Sequence, residues 1–299
     1  MSTKEIMVVT GGAGFIGSHL TQGLLDQGYQ VRVLDNLSQG KREWVPSKVE
    51  FFEGDILDRA LLNKVFEGAS GVFHLAAMSK VAPSMEKPEF CTEQNILGTQ
   101  NVLIEAQRAK VKKVVYAASS TYYGSQKAPQ QEDMFPQPLN PYALSKLVGE
   151  HFCELWTRIY NLKTVSLRYF NVYGPRQPSV GAYALVLGIF LKQLKEGRPL
   201  TIHGDGLQRR DFIYVSDVVE ANIAAYKSEA SGIVLNVGSG TNISVKELAD
   251  MISKNQVFEP RRAGDAQVTL ADITKIQNIL QWRPKVSFEE GLAKLIEAI

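Results

Sequence analysis

The strongest constraint on this chain is a run of glycines placed between a strand pattern and a helix pattern. Ile6-Met7-Val8-Val9-Thr10 is followed by Gly11-Gly12-Ala13-Gly14-Phe15-Ile16-Gly17, and apolar residues then recur with helical spacing over 15–27. In that order Gly11 can make the tight turn, Gly14 can admit a pyrophosphate to the helix N-terminus, and Gly17 lets the helix lie close to the strand. A βα turn without a ligand would also select glycine, so the surroundings decide. Asp35 stands 18 residues past Gly17, at the end of the next strand pattern, QVRVLD. A carboxylate there accepts hydrogen bonds from the adenosine ribose hydroxyls and repels a 2′-phosphate, which points to NAD rather than NADP.

The alternation continues well beyond this unit. The runs EIMVVT, QVRVLD, VEFFEG, GVFHLAA, VKKVVYAASS and LKTVSLRYF are separated by helical patterns that include 15–27, 58–67, 89–109 and 141–160. Strands apolar on both faces, alternating with helices, imply a parallel sheet covered on both sides. The expected fold class is α/β: a doubly wound Rossmann sheet with a smaller, interleaved C-terminal lobe. The 299 residues correspond to about two domains at ~150 residues each. After Gly174-Pro175 the rhythm changes, with prolines and glycines punctuating 175–211 and short elements over 228–299. We therefore expect a cofactor domain from 1–174 plus 212–237, the latter returning to the sheet, and a substrate lobe from 175–211 plus 238–299.

Composition excludes several function classes. The 33 Lys and Arg against 31 Asp and Glu leave a net charge of +2, so nothing draws the chain to nucleic acid or to an anionic membrane surface. The longest strongly apolar run, 182–191, is ten residues, against ~20 needed to cross a bilayer. The N-terminal apolar stretch, Ile6 to Val9, is too short for a secretory signal, and a cytoplasmic protein is expected. Cys91 and Cys153 are the only cysteines, too few for a disulfide framework or a four-thiolate zinc site. No metal is expected.

A second motif carries reaction chemistry. Asn140-Pro141-Tyr142-Ala143-Leu144-Ser145-Lys146 starts a helix with Asn as N-cap and Pro in the first turn. Tyr142 and Lys146 are four apart, hence on one side of that helix. A tyrosine works as a base near neutrality only if its pKa falls by roughly three units from ~10, or ~4 kcal/mol in favour of phenolate. A lysine ammonium and a nicotinamide cation both push that way. The preceding strand ends in Ser119-Ser120-Thr121-Tyr122-Tyr123-Gly124, which brings hydroxyls to the same sheet edge and completes a proton relay. His74, at another strand end, reads as a packed histidine rather than an acid–base group.

With these residues in place, the chain resembles the extended short-chain dehydrogenase/reductase family, and within it the nucleotide-sugar epimerases and dehydratases. The likeness rests on Gly11-x-x-Gly14-x-x-Gly17, the Ser119 to Gly124 strand end and Tyr142-x-x-x-Lys146. It continues through Leu167-Arg168-Tyr169-Phe170-Asn171-Val172-Tyr173-Gly174-Pro175-Arg176, Arg210-Asp211-Phe212-Ile213-Tyr214-Val215, Asn236-Val237-Gly238-Ser239-Gly240 and Arg262-Ala263-Gly264-Asp265. The resemblance covers essentially the whole chain and implies Ser119, Tyr142 and Lys146 as the catalytic trio. It implies NAD contacts from Gly11, Gly14, Phe15, Ile16, Gly17, Asp35, Asn36, Ser38, Gly40, Asp55, Ile56, Leu75, Ala76, Ala77 and Tyr169, together with Tyr142 and Lys146. For a UDP-sugar it implies Ser79, Ser119, Ser120, Tyr142, Arg176 and Thr269, with Asn171, Arg210 and Arg262 on the diphosphate and Asp265 on the nucleoside ribose. Arginine forks match phosphate oxygens.

The resemblance also narrows the reaction. The 4,6-dehydratases of this family carry two acidic residues after the catalytic Ser/Thr, and the decarboxylases usually keep the glutamate; Ser120 and Thr121 stand there in this chain. What remains is the apparatus of a UDP-sugar 4-epimerase, which oxidises C4 and returns hydride to the other face without net oxidation. Thr269, small where a tyrosine restricts the pocket to plain hexoses, implies room for UDP-GlcNAc/UDP-GalNAc as well as UDP-Glc/UDP-Gal. Asn171 resembles the hexose and N-acetylhexosamine epimerases more than the uronate epimerases. Lys80 departs from the commoner small residue and leaves two readings open, a preference for an acidic sugar or a solvent-facing loop lysine. UDP-glucuronate epimerase or decarboxylase, dehydratase, net oxidoreductase and non-catalytic NAD sensor are the alternatives. A homodimer through the helices at 89–109 and 141–160 is expected from the family.

Overall fold

The computed structural model describes residues 4–179, 185–260 and 267–297. Six strands occupy the runs expected from the sequence: β1 (Ile6–Thr10), β2 (Gln30–Asp35), β3 (Glu50–Glu53), β4 (Gly71–His74), β5 (Lys113–Ser119) and β6 (Lys163–Tyr169). The helices among them are α1 (Phe15–Asp26), α2 (Arg59–Phe66), α3 (Val81–Glu86), α4 (Pro88–Thr92), α5 (Gly98–Arg108) and α6 (Pro141–Tyr160). Beyond them come β7 (Asn171–Tyr173), α7 (Val186–Lys195), β8 (Leu200–His203), β9 (Arg209–Arg210), β10 (Phe212–Tyr214), α8 (Val215–Lys227) and β11 (Ile233–Val237). The chain closes with β12 (Ile243–Ser244), α9 (Val245–Ile252), β13 (Gln256–Glu259), α10 (Thr274–Leu280) and α11 (Phe288–Glu297).

Seven strands form one parallel sheet in the order β11-β6-β5-β4-β1-β2-β3. All seven residues of β5 are buried, as a strand covered by helices on both faces requires. This is the doubly wound Rossmann fold expected above. Its strand order reverses direction between β1 and β4, and the loops leaving their C-terminal ends open the crevice where such sheets bind ligands. Among the described residues, no helix is long and apolar enough to cross a membrane.

The helix over 141–160 has the boundaries its sequence signals. Asn140 Oδ1 accepts from Ala143 N at 2.9 Å, Pro141 fills the first turn, and Asn161 ends the helix in the left-handed conformation. The expected continuous helix over 89–109 is instead interrupted by a π turn, Glu93–Leu97, between α4 and α5. The cause is tertiary: Asn95 is drawn inward to Met78 and Ser145, and Gly98 packs so tightly on Ile56 that a Cβ would stand 2.8 Å from its Cγ1. Of the segment 212–237, β11 forms the sheet edge beside β6, whereas β10 pairs with β7 in a separate two-stranded ribbon. Only the three residues of β10 separate Asp211 from α8.

The remaining short sheets, β8 with β13 and β9 with β12, carry the outer lobe. Leu187, Phe190, Leu200, Ile202, Val245 and Leu248 belong to the same apolar cluster as Met7, Val9, Val165 and Leu235. At ~1.5–3 kcal/mol per buried large side chain, this shared core holds the outer elements against the sheet edge.

Candidate active site

The cofactor cradle is built by close backbone approach. Gly11 adopts φ +72°, and a Cβ there would stand 2.7 Å from Ala76 N, so the turn after β1 lies directly on the turn after β4. Gly17 faces the same turn: a methyl would come within 2.9 Å of both Gly11 C and Gly12 Cα. Gly14 is the N-cap of α1 and offers no side-chain cap, which leaves the first amides of the helix for an anion. Phe15 and Ile16 are half-buried behind it.

Asp35 ends β2 under this turn. Its Oδ2 accepts from Ala13 N at 2.9 Å and its Oδ1 from Leu37 N at 2.8 Å, and burial raises its pKa. The loop that follows wraps the glycine turn: Ser38 N donates to Asn36 Oδ1, and Gly40 sits where a Cβ would lie 2.8 Å from Ala13 C. Asn36 in turn donates to Asp55 Oδ2 at 2.8 Å, and Gln94 to the same oxygen at 3.3 Å. Ile56 is buried beneath them, while Leu75, Ala76 and Ala77 are half-exposed above. A glycine cradle that any Cβ would fill, open helix amides and a carboxylate beside them fit a dinucleotide. Tyr169 is placed differently from its neighbours: its hydroxyl donates to Asn222 Oδ1 at 2.8 Å inside the core, so its ring and backbone alone remain for a ligand.

The proposed catalytic trio meets at the end of β5. Ser119 Oγ accepts from Thr121 N at 3.3 Å and from Thr121 Oγ1 at 2.9 Å. A side-chain hydrogen bond also links Ser119 with Tyr142. Burial raises the Tyr142 phenol, and this bond from Ser119 pulls it back. Lys146 Nζ donates to Ala117 O at 2.8 Å and lies 4.9 Å from the Tyr116 ring centroid. Burial lowers the Lys146 pKa to about 8.

His74 is held between Thr10 Oγ1 (2.8 Å) and Thr99 Oγ1 (3.0 Å). Burial, with the nearby Lys146 charge, lowers its pKa to about 3. It is therefore a neutral packed histidine and adds no charge beside Lys146. Ser120 opens a single 3-10 turn, Ser120–Tyr123, and Ser79 is exposed.

β7, β9 and the segment at Thr269 bring three of the expected substrate residues, Asn171, Arg210 and Thr269, near one another. Asn171 Nδ2 donates to Asp211 O at 2.9 Å and to Thr269 Oγ1 at 3.3 Å, which leaves its Oδ1 for a ligand. Asp211 lies beneath them and accepts from Ser239 N, Ser239 Oγ, Gly240 N and Ala271 N; burial still raises its pKa to about 6. Half-buried Arg210 follows Arg209 on β9 and donates from Nη1 to Arg209 O. Arg176 is exposed, in the left-handed region at φ +68°. Arg262 and Asp265 lie outside the described residues.

Three supporting groups escaped the sequence reading. Arg168, quoted above only as part of a motif, is buried and binds both carboxylate oxygens of Glu150 (Nε at 2.9 and 3.2 Å, Nη2 at 2.8 Å). It also donates to Tyr123 Oη at 2.9 Å and stacks 3.4 Å from the Tyr122 ring centroid. One guanidinium thereby ties α6, which carries Tyr142 and Lys146, to the turn that follows Ser119. Ser84 Oγ accepts from Tyr142 N at 3.1 Å, and Asn95 donates to Ser145 Oγ at 2.9 Å. A buried Glu one turn past Lys146 was the available signal for the first; the other two carry none. Among the described residues, no group of three or more His, Cys, Asp or Glu could hold a metal ion.

Comparison with known proteins shows the family and the fold. Residues 7–238 match the model of the NAD dependent epimerase/dehydratase family. The UDP-glucose 4-epimerase of Mycolicibacterium smegmatis is 38% identical over 304 residues, covering 97% of each chain. The crystal structure of UDP-glucose 4-epimerase from Thermotoga maritima with UDP-glucose superimposes with a TM-score of 0.94 at 38% identity, over 98% of this chain and 97% of that one. The UDP-N-acetylglucosamine 4-epimerase from Methanobrevibacter ruminantium, in complex with UDP-N-acetylmuramic acid, does so with a TM-score of 0.94 at 34% identity, over 99% and 98%.

Proposed function

The chain belongs to the NAD dependent epimerase/dehydratase family, and from that premise we propose that it is a UDP-sugar 4-epimerase acting on UDP-GlcNAc/UDP-GalNAc, UDP-Glc/UDP-Gal or both. The observation that carries the reading is the Ser119 hydroxyl, held by Thr121 and hydrogen-bonded with Tyr142, whose phenol it pulls downward. A dehydratase needs its own acid and base to remove water, and this turn holds Ser120 and Thr121 in their place. Thr121 is already committed to orienting Ser119.

NAD, when bound, supplies the acceptor that takes hydride from sugar C4 and returns it. The protein's part is proton transfer and positioning. Tyr142 takes the proton of the sugar O4 as C4 is oxidised and gives it back when the 4-keto sugar, turned over, is reduced on its other face. The Lys146 ammonium, while charged, lowers the cost of the Tyr142 phenolate, and Ser119 donates to the oxygen that gains negative charge. Asn171 and Arg210, with Arg262, hold the diphosphate while the sugar turns, and Thr269 leaves space at C2 for an N-acetyl group. Relatives named for UDP-glucose and for UDP-N-acetylglucosamine support both members of the proposed substrate set.

Exposed Leu144, Ile159 and Tyr160 on α6, with Leu97 just before α5, favour a homodimer through these helices, which light scattering tests. Replacing Tyr142 by Phe tests the catalytic reading: turnover should fall at least ~100-fold while UDP-sugar still binds. Unaltered turnover would remove Tyr142 from the mechanism.

A further inference from the structure

The stripe of α6 that carries the proposed reacting groups continues one turn further. Tyr142 and Lys146 are followed at the same spacing by Glu150, which is buried. On the other side of the site, Ser119 runs directly into the turn that holds Tyr122 and Tyr123. Between helix and turn lies the buried Arg168 guanidinium, on β6 opposite Ala118 of β5. Its Nε and Nη2 donate to both oxygens of Glu150. Its Nη1 donates to Tyr123 Oη at 2.9 Å and to Glu132 O at 3.2 Å, and its Cζ lies 3.4 Å from the Tyr122 ring centroid. The side chain is thus engaged from Nε and Nη2 toward α6, and from Nη1 toward the segment that follows Ser119. Tyr123 is fixed in turn, because its hydroxyl donates to Asn236 Oδ1 on β11 at 2.6 Å.

Stability alone does not account for this arrangement. Desolvating a guanidinium and a carboxylate offsets most of their attraction, and an apolar pair of similar volume is often as stable or more so. An apolar pair cannot fix direction, however. The planar fork meets the carboxylate on one edge and the phenol hydroxyl on another, which holds helix and turn in one relative position. That position matters because Ser119 and Tyr142, which share a hydrogen bond, belong to the two parts being held. Ser119 immediately precedes the turn, and Tyr142 stands two helical turns before Glu150.

Resting on the 4-epimerase reading, we propose that Arg168 is a positioning residue for the proton transfer, setting where Tyr142 and Lys146 stand relative to Ser119 by holding Glu150 at one end and Tyr123 at the other. It acts through the trio rather than on the sugar.

Two variants separate positioning from support. Arg168→Met/Glu150→Met replaces both buried charges with apolar side chains, so the fold is kept while the link from α6 to the turn is lost. Tyr123→Phe removes only the hydroxyl by which the turn is held. Each is compared with wild-type holoenzyme on UDP-glucose and UDP-GlcNAc by NMR, well below its own unfolding midpoint, with denaturant stability and retained NAD measured on the same preparations. In the double variant kcat should fall roughly 10- to 100-fold, as misplacement by ~1 Å implies, with KM for the UDP-sugar and NAD content little changed. In Tyr123→Phe, which loses one neutral partner, kcat should fall roughly 3- to 10-fold. A double variant that keeps both stability and wild-type kcat reduces Arg168 to structural support and overturns the proposal, as does a loss confined to KM or to NAD content. If the double variant does not fold, Tyr123→Phe decides by the same criteria. A wild type that accumulates a 4-keto sugar or NADH instead of the 4-epimer refutes the epimerase reading, while slower formation of that product by the variants still sustains the positioning role. A wild type that converts neither sugar refutes both.

Discussion

A methyl group at Gly17 would meet the backbone of the turn it packs against. In Gly17→Ala the new Cβ falls within 2.9 Å of Gly11 C and of Gly12 Cα, whereas carbon atoms rest at about 3.5–4.0 Å. The shortfall is ~0.6 Å on each carbon, and the Gly11 carbonyl oxygen stands still closer. No side chain can move aside, because the obstacles are main chain. Helix α1 must therefore retreat from β1, or Gly11 must turn, and Gly11 is itself pinned against Ala76. Misplacement by ~1 Å is worth about a hundredfold where geometry carries the interaction, so NAD affinity should weaken about 100-fold, ~2.7 kcal/mol. The assay is NAD retained through gel filtration together with calorimetric titration of the stripped protein. Gly28→Ala supplies the contrast: φ is +85° with nothing within 4 Å, so it should cost ~1 kcal/mol of stability through backbone strain and leave NAD binding alone. A Gly17→Ala protein that keeps NAD as tightly as wild type would refute the cradle.

Further outcomes follow from individual side chains. Because burial lowers Lys146 to about 8, its ammonium is present below that pH and lost above it, so kcat/KM should decline on an alkaline limb near pH 8 that Lys146→Arg, which stays charged, shifts upward; a profile level to far higher pH would contradict this. The same shift makes the folded protein bind fewer protons than the unfolded chain between about 8 and 10.5, so this group's contribution to stability rises with pH across that window. Arg168→Met strands Glu150 in the interior and should cost about 3–5 kcal/mol in denaturant unfolding, with Arg168→Met/Glu150→Met recovering most of it. Asp35→Asn removes the charge that repels a 2′-phosphate and should narrow the NAD over NADP preference roughly tenfold or more, read from dissociation constants of both cofactors.

Much of the fold was legible because its signals are local. The glycine turn, the strand ending in Asp35 and the Asn140-Pro141 helix start are each written within a few residues, and each element stands where its pattern places it. The break at Glu93–Leu97 was not legible, since Asn95 is pulled inward by Ser145, 50 positions away in the chain. The ribbon of β7 with β10 likewise depends on a pairing 41 positions apart, Asn171 with Phe212, for which three-residue runs carry no periodicity. Tyr142 and Lys146 share a helix face by their i, i+4 spacing, but the pairing of Thr121 with Ser119 depends on how the turn folds back. Arg168 looked like one motif residue among ten; that it joins α6 to that turn emerges only once β6 is beside β5.

On the proposed reading, a bound cofactor and Tyr142 invert C4 of a UDP-sugar without net oxidation. Purified holoenzyme incubated with UDP-GlcNAc, and separately with UDP-glucose, and followed by proton NMR should yield an equilibrium mixture of the two 4-epimers with no accumulation of NADH. Stoichiometric NADH, a persistent 4-keto or decarboxylated product, or an unchanged spectrum with these and the other UDP-hexoses would contradict it.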